Sequence, residues 1–299
     1  MRRRFVTLDV FTAQRYAGNP LAIVIESDGL DADQMQAMAR EFNLSETVFV
    51  EAPANPEHRA KLRIFTPGAE LPFAGHPTIG AAVLLGALTS RQPYIVFEEG
   101  IGLVRCVAEQ VDRDHGRARF ELPRLPAEIE ATISKSSALA TALGLRANDI
   151  GDGEFNPGIW SAGVPLLMLP LASLDAVARC RLDMAKLTKA FGELKPPLGI
   201  YVFCRAANDP ANAFHTRMFA PQMGIAEDPA TGAAAAALAG MVARFGKLND
   251  GEHTFGIEQG YEMGRPSLIK LHVTMNGGEL ESAGIGGEAI IVSEGRIEA

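Results

Sequence analysis

A peptide that occurs twice confines this chain to a small set of architectures. Residues 63–82 read RIFTPGAELPFAGHPTIGAA and residues 217–234 read RMFAPQMGIAEDPATGAA. Both open on Arg-x-Phe-x-Pro, with Arg63, Phe65 and Pro67 in one copy and Arg217, Phe219 and Pro221 in the other. Both close on a titratable residue followed by Pro and a small-residue run, His76-Pro77 in the first and Asp228-Pro229 in the second. Copies about half a chain apart indicate a duplicated domain whose halves present different proton-handling groups.

The pattern around the copies repeats as well. The first half predicts strands near 4–11 and 21–26, a helix over 32–42 capped by Asp31 or Asp33, strands near 47–51 and 60–65, and a helix from Pro77 to about Leu88. The second half keeps that order: a strand over 161–170, helices over 173–179 and 182–191, strands near 198–204 and 213–219, and a helix from Pro229 to about Phe245. Further short strands are predicted near 93–98, 101–109, 117–122, 254–260, 267–274, 279–284 and 287–293. Strand-rich halves with few helices predict an α+β fold of two pseudo-symmetric domains, each sheet wrapped around a central helix. The helix over 229–245, nearly all Ala, Leu, Gly and Met, belongs inside its domain. The Pro-rich, charged stretch 122–130 is the predicted linker between domains at 1–122 and 128–285, with 286–299 a candidate to return to the first.

The 299 residues suit about two domains, and a 47% hydrophobic content supplies cores without disulfides. A net charge of −8, with no basic cluster beyond Arg2, Arg3 and Arg4, argues against a nucleic-acid partner. The segment after those arginines lacks the apolar core of a signal peptide. No run approaches the ~20 apolar residues of a membrane helix, so a cytoplasmic protein with no membrane partner is expected. Cys106, Cys180 and Cys204 have no close spacing and read as buried, inert thiols. Scattered histidines without His-Glu-x-x-His or Cys-x-x-Cys give no metal site.

Asp-Pro or His-Pro ahead of a small-residue helix reads as an N-cap with Pro at the first helical position. Asp228 and His76 then cap their helices, and the small residues beyond them leave first-turn N–H groups open to an anion. Two such helix starts facing one cleft suit a carboxylate-bearing small molecule. Capping alone would explain Asp228; His76 is not a favoured cap, and the symmetry directs both toward chemistry. Glu46, in EFNLSETVFV, falls where a helix ends and a strand begins. Its counterpart at the repeat spacing is Leu198, so that carboxylate exists in one half only. Duplication does not require that asymmetry, whereas one-sided acid/base chemistry does. Phe42, Leu44, Val48 and Phe49 are placed to desolvate Glu46 and lift its pKa from an ordinary value of ~4.3.

The strings LDVFTAQRYAGNPLAIVIE, NLSETVFV, RIFTPGAELPFAGHPTIGAA, GIAEDPATGAAAAAL and EQGYEMGRPSLI resemble, in order and over nearly the whole chain, the phenazine-biosynthesis PhzF-like isomerase family. The resemblance implies a diaminopimelate epimerase-like fold: two pseudo-equivalent domains, each a mainly antiparallel sheet rolled around a central helix, with the active site between them. It implies an isomerase without a cofactor, commonly homodimeric. Its characterised reaction isomerises dihydro-3-hydroxyanthranilate, with a glutamate moving a proton between ring carbons. Carried over by motif, Glu46 is the general acid/base and His76 and Asp228 are polar residues around the substrate. Gly75 and Gly232 offer amides to its carboxylate, beside Thr231, and Asn19 is a further contact. Two features depart from related patterns. Epimerases of this fold carry a cysteine pair in these loops, and here the loops have none. Members acting on the phenazine precursor typically carry Ser where this chain has Ala233, which removes a hydroxyl beside the substrate.

The reading is therefore a cofactor-independent isomerase in which Glu46 removes a proton and returns it elsewhere on a small carboxylate substrate. Its alternatives are an epimerase of another small hydroxy or amino acid and a non-catalytic small-molecule binder. Hydride transfer is disfavoured, because the glycines around Gly284-Ile285-Gly286-Gly287 open no βαβ unit.

Overall fold

The computed structural model describes residues 2–89, 93–131, 133, 136–191 and 198–299. The chain divides into two compact units. One comprises Met1–Pro123, Arg265–Leu268 and Gly284–Ala299; the other comprises Arg124–Gly264 and Ile269–Ala283.

In the first unit, Arg2–Val10 pairs antiparallel with Asn19–Ile25, which runs parallel to Glu46–Glu51. That strand is antiparallel to Ala60–Phe65, which runs parallel to Tyr94–Glu99. Gly102–Gln110 and His115–Glu121 come next in antiparallel order. The last strand, Glu279–Glu298, pairs through its later residues with both His115–Glu121 and Arg2–Val10, so the sheet closes on itself. Closure leaves those strands no free edge. Inside lies the helix Gly75–Ala81, continued by a π-helical stretch, Ala82–Leu88, where a plain α-helix was expected. Every residue from Gly75 to Ala87 is buried, as an almost wholly apolar helix requires. Gly80 marks the tightest approach: a Cβ there would lie 2.5 Å from Leu21 Cδ2.

The second unit repeats these pairings. Gly158–Ser161 is antiparallel to Pro165–Pro170, which runs parallel to Gly199–Cys204; that strand is antiparallel to Phe214–Ala220, itself parallel to Gly251–Gln259. The expected single strand over 161–170 is thus a hairpin, turning where Gly163 adopts φ 135°. A short strand also forms within the expected linker, Ala127–Ile129, on Gly158–Ser161. The helix Gly232–Phe245 is buried from Ala234 through Val242, and a Cβ on Gly240 would meet the Trp160 ring at 2.6 Å. Three further helices, Ser136–Leu143, Leu174–Arg179 and Met184–Phe191, form a second core with Leu167, Ile200 and Val202. Among its described residues the first unit has one helix in that role, Ala32–Phe42, closed by an Asp31–Gln34 capping box and packed through Met35 and Met38 on Val24, Phe49 and Phe65.

Strand register aligns the halves residue by residue. Phe65 lies opposite Thr47 and Phe219 opposite Ile200, so Glu46 corresponds to Gly199 and not to Leu198. Ile64 lies opposite Leu71 and Met218 opposite Asp228, so Asp228-Pro229 corresponds to Leu71-Pro72 and not to His76-Pro77. The two helices begin at Gly75 and Gly232, which matches His76 with Ala233. The motif-based alignment slipped because the hairpin between Phe219 and Glu227 is longer than that between Phe65 and Glu70. The capping expectation fails too. Ala74 and Thr231 are the N-caps; His76 lies inside the first helical turn, and Asp228 ends the short strand Ile225–Asp228. Pro229 occupies the turn between strand and helix.

Candidate active site

Glu46 and His76 meet within the first unit. Glu46 opens its strand, His76 is the second residue of the buried helix, and Glu46 Oε2 lies 3.4 Å from His76 Nε2. Their side chains are 12% and 5% exposed. Burial holds the imidazole down at about 3, so His76 is neutral at ordinary pH and the contact is not an ion pair. A neutral ring is a poor proton acceptor but a serviceable hydrogen-bond donor. Asn19, fully buried, opens the neighbouring parallel strand, in which Leu21 lies opposite Glu46, so both residues stand at the same end of the sheet. Gly75, also buried, precedes His76 at the helix start.

Sequence reasoning missed what holds this end together. The loop between Val10 and Asn19 carries Phe11 and Tyr16 at positive φ. Buried Asp9 accepts from the Tyr16 N–H at 2.6 Å and from Arg265, whose guanidinium also donates to the carbonyls of Ala17 and Gly18. It also missed Glu99, buried beneath the His76 helix with Oε1 2.9 Å from Thr78 Oγ1. Burial pushes this carboxyl up to about 8 against the lowering effect of the Thr78 bond. The Thr78 hydroxyl also lies 2.9 Å from the Ala74 carbonyl. With one proton, the hydroxyl can serve only one of these two acceptors at a time.

The second unit carries its own cluster. Asp228 is buried, and the Thr231 hydroxyl donates to Asp228 Oδ2. Gly232 is the first helical residue, and Ala233 is half-buried. Arg63 and Arg217, ambiguous in the sequence, are each paired to the acid of the adjoining hairpin, Glu70 and Glu227. All three cysteines are buried, and burial raises each thiol, Cys180 to about 12. Among the described residues, no group of His, Cys, Asp and Glu is arranged to hold a metal ion. Among them, too, no helix is long and apolar enough to cross a membrane.

A doubled α+β fold of sheets rolled about buried helices is of the diaminopimelate epimerase-like fold class. Within that class the chain belongs to the phenazine biosynthesis-like protein family, whose model matches residues 8–295. It is 46% identical to an uncharacterized isomerase of Mesorhizobium japonicum, over 99% of this chain and 98% of that one. It is 34% identical to the trans-2,3-dihydro-3-hydroxyanthranilate isomerase of Pseudomonas chlororaphis, over 98% of both. Its fold is similar to the crystal structure of a Bacillus anthracis phenazine biosynthesis protein of the PhzF family, with TM-score 0.88 and 24% identity over the full length of both.

Proposed function

We propose that this isomerase needs no cofactor and moves a proton on a small carboxylate-bearing substrate of the trans-2,3-dihydro-3-hydroxyanthranilate type. The observation that carries the reading is the Glu46 carboxylate, largely withdrawn from water beside a neutral His76. Glu46 takes the proton from an activated carbon and returns it to another atom of the conjugated system. Substrate and product are isomers, so no electron acceptor is required. His76, uncharged, orients Glu46 or the substrate by donating a hydrogen bond and does not itself collect the proton. Asp228 and Thr231, with the amides of Gly75 and Gly232, Asn19 and the methyl of Ala233, are assigned to substrate contact. Thiol-based epimerisation finds no support, since the three cysteines are buried with raised pKa values. The family resemblance favours a homodimer, for which light scattering should return twice the 31.9 kDa chain mass.

Proton NMR in D₂O with trans-2,3-dihydro-3-hydroxyanthranilate tests the assignment on protein dialysed free of metals and small molecules. Isomerisation with solvent deuterium in the product is expected for the wild type. A wild type that leaves this compound unchanged would overturn the substrate class, and an undiminished Glu46→Gln variant would remove Glu46 as the base.

A further inference from the structure

We infer that Gln259 is a positioning residue, setting the geometry of the Asp228 carboxylate through Thr231. This rests on the reading of Asp228 as a substrate contact.

Gln259 ends the strand Gly251–Gln259 and is fully buried. Its side-chain amide directs three hydrogen bonds into the single turn that joins Asp228 to the helix. Oε1 accepts from the Thr231 N–H at 3.1 Å, and Nε2 donates to the Asp228 carbonyl at 2.8 Å and to Thr231 Oγ1 at 2.9 Å. The amide has one workable orientation: reversed, it would set N–H against N–H and oxygen against oxygen. Because Nε2 fills an acceptor site on the Thr231 hydroxyl, the hydroxyl proton is left for Asp228 Oδ2, which it reaches. Amide to hydroxyl to carboxylate is thus a one-way chain of donors that fixes the rotamer of Asp228.

The other half shows that this arrangement is not simply what the fold needs. Ala60 lies beside Phe97 and Phe214 beside Ile257 in the parallel ladders, which makes Glu98-Glu99-Gly100 the counterpart of Glu258-Gln259-Gly260. Glu98 and Glu258 do the same work: each accepts two backbone N–H groups of a nearby loop and a histidine Nδ1. Glu99 and Gln259 do not. Glu99 reaches Thr78, inside the helix, and makes no bond to the turn after Leu71, where the first half has no acid to orient. The amide stands in the half that carries Asp228.

The test compares Gln259→Leu, Thr231→Val, Asp228→Asn and the pairwise doubles. With saturating trans-2,3-dihydro-3-hydroxyanthranilate, Gln259→Leu should lower kcat roughly 10–100-fold, the scale of a misplaced contact, while KM changes less than about threefold. In the Asp228→Asn background the same substitution should change kcat less than about twofold, although it lowers the melting temperature equally in both. Full additivity in kcat would reduce Gln259 to a stabilising residue and overturn the inference. A second readout needs no substrate. The ¹³C carboxyl resonance of Asp228 should move alike in Gln259→Leu and Thr231→Val, without further movement in their double, while the backbone amide spectrum persists. An unmoved resonance overturns the inference even if the wild type fails to turn over this compound, a failure that belongs to the proposed function alone. Should Gln259→Leu not fold, Gln259→Glu, of the same shape but unable to donate twice, carries both measurements.

Discussion

Arg63 and Arg217 hold the same place in the two halves. Each lies over the phenylalanine two residues on, Phe65 or Phe219, and each grips the acid of the neighbouring hairpin. Glu98 and Glu258 are matched as closely. The three candidate site residues break the match: Glu46 faces Gly199 in the alignment, His76 faces Ala233, and Asp228 faces Leu71. At Gly199 a side chain would have to displace Leu166 Cδ2 and Met218 Cε, which lie 2.6 and 2.8 Å from where its Cβ would be. Duplication therefore preserved the residues that tie strands to their adjoining hairpins and loops and left Glu46, His76 and Asp228 each without a titratable counterpart. On the proposed reading, one proton-transfer chemistry needs its groups once, so a doubled scaffold can carry an undoubled set of them.

Four experiments probe that contrast, from the largest expected effect to the smallest. Glu46→Gln should lower turnover by ~10²–10⁴-fold with little change in stability, because it removes the proton acceptor and keeps the volume; the kinetics of the NMR assay decide it. Glu99→Gln comes next. A carboxyl that keeps its proton to about 8 in the fold, but ionises near 4.5 when unfolded, costs stability as pH rises between those values. The variant should gain on the wild type by about 1.4 kcal/mol per pH unit over that window, reaching on the order of 4 kcal/mol by pH 8.5. His76, shared by both proteins, cancels in the difference. Urea denaturation at pH 5 and pH 8.5 reads it, and equal stabilities at both would show that Glu99 does not stay protonated.

The paired arginines give an effect of at most similar size and a direct comparison. Arg217→Ala strands Glu227, 18% exposed, and frees the carbonyls of Val177 and Cys180, so about 3–5 kcal/mol should be lost. Arg63→Ala leaves Glu70, 41% exposed, to water and should cost about 1 kcal/mol or less. Equal losses in denaturant melts would mean that the two pairs are energetically as well as positionally equivalent. Smallest is Ala233→Ser, which restores the hydroxyl typical of family members that act on the phenazine precursor. One added hydrogen bond, about 1 kcal/mol, should raise kcat/KM on trans-2,3-dihydro-3-hydroxyanthranilate roughly fivefold; a fall would place position 233 against an apolar part of the substrate.

The α+β class, the doubling, the buried central helices and the Asp31 cap were all legible in the residues, because each depends on local pattern: alternation, an all-apolar helix, a capping box. Glu46 and His76 stood out by type and context, but nothing in the string put one within reach of the other across thirty residues of chain. The equivalence of His76 with Asp228 was misread for the same reason. Identical Pro and Gly spacing outweighed a hairpin length that only ladder register reveals. Gln259 and Glu99 had a faint signal in the repeated Glu-x-Gly, yet their roles depend on which neighbours burial supplies. By itself the sequence determined that the chain makes one architecture twice, since periodicity and helix or strand preference act over a few residues. The tertiary structure alone decided which titratable groups are buried together, because burial, and with it the protonation of His76 and Glu99, is set by side chains distant along the chain.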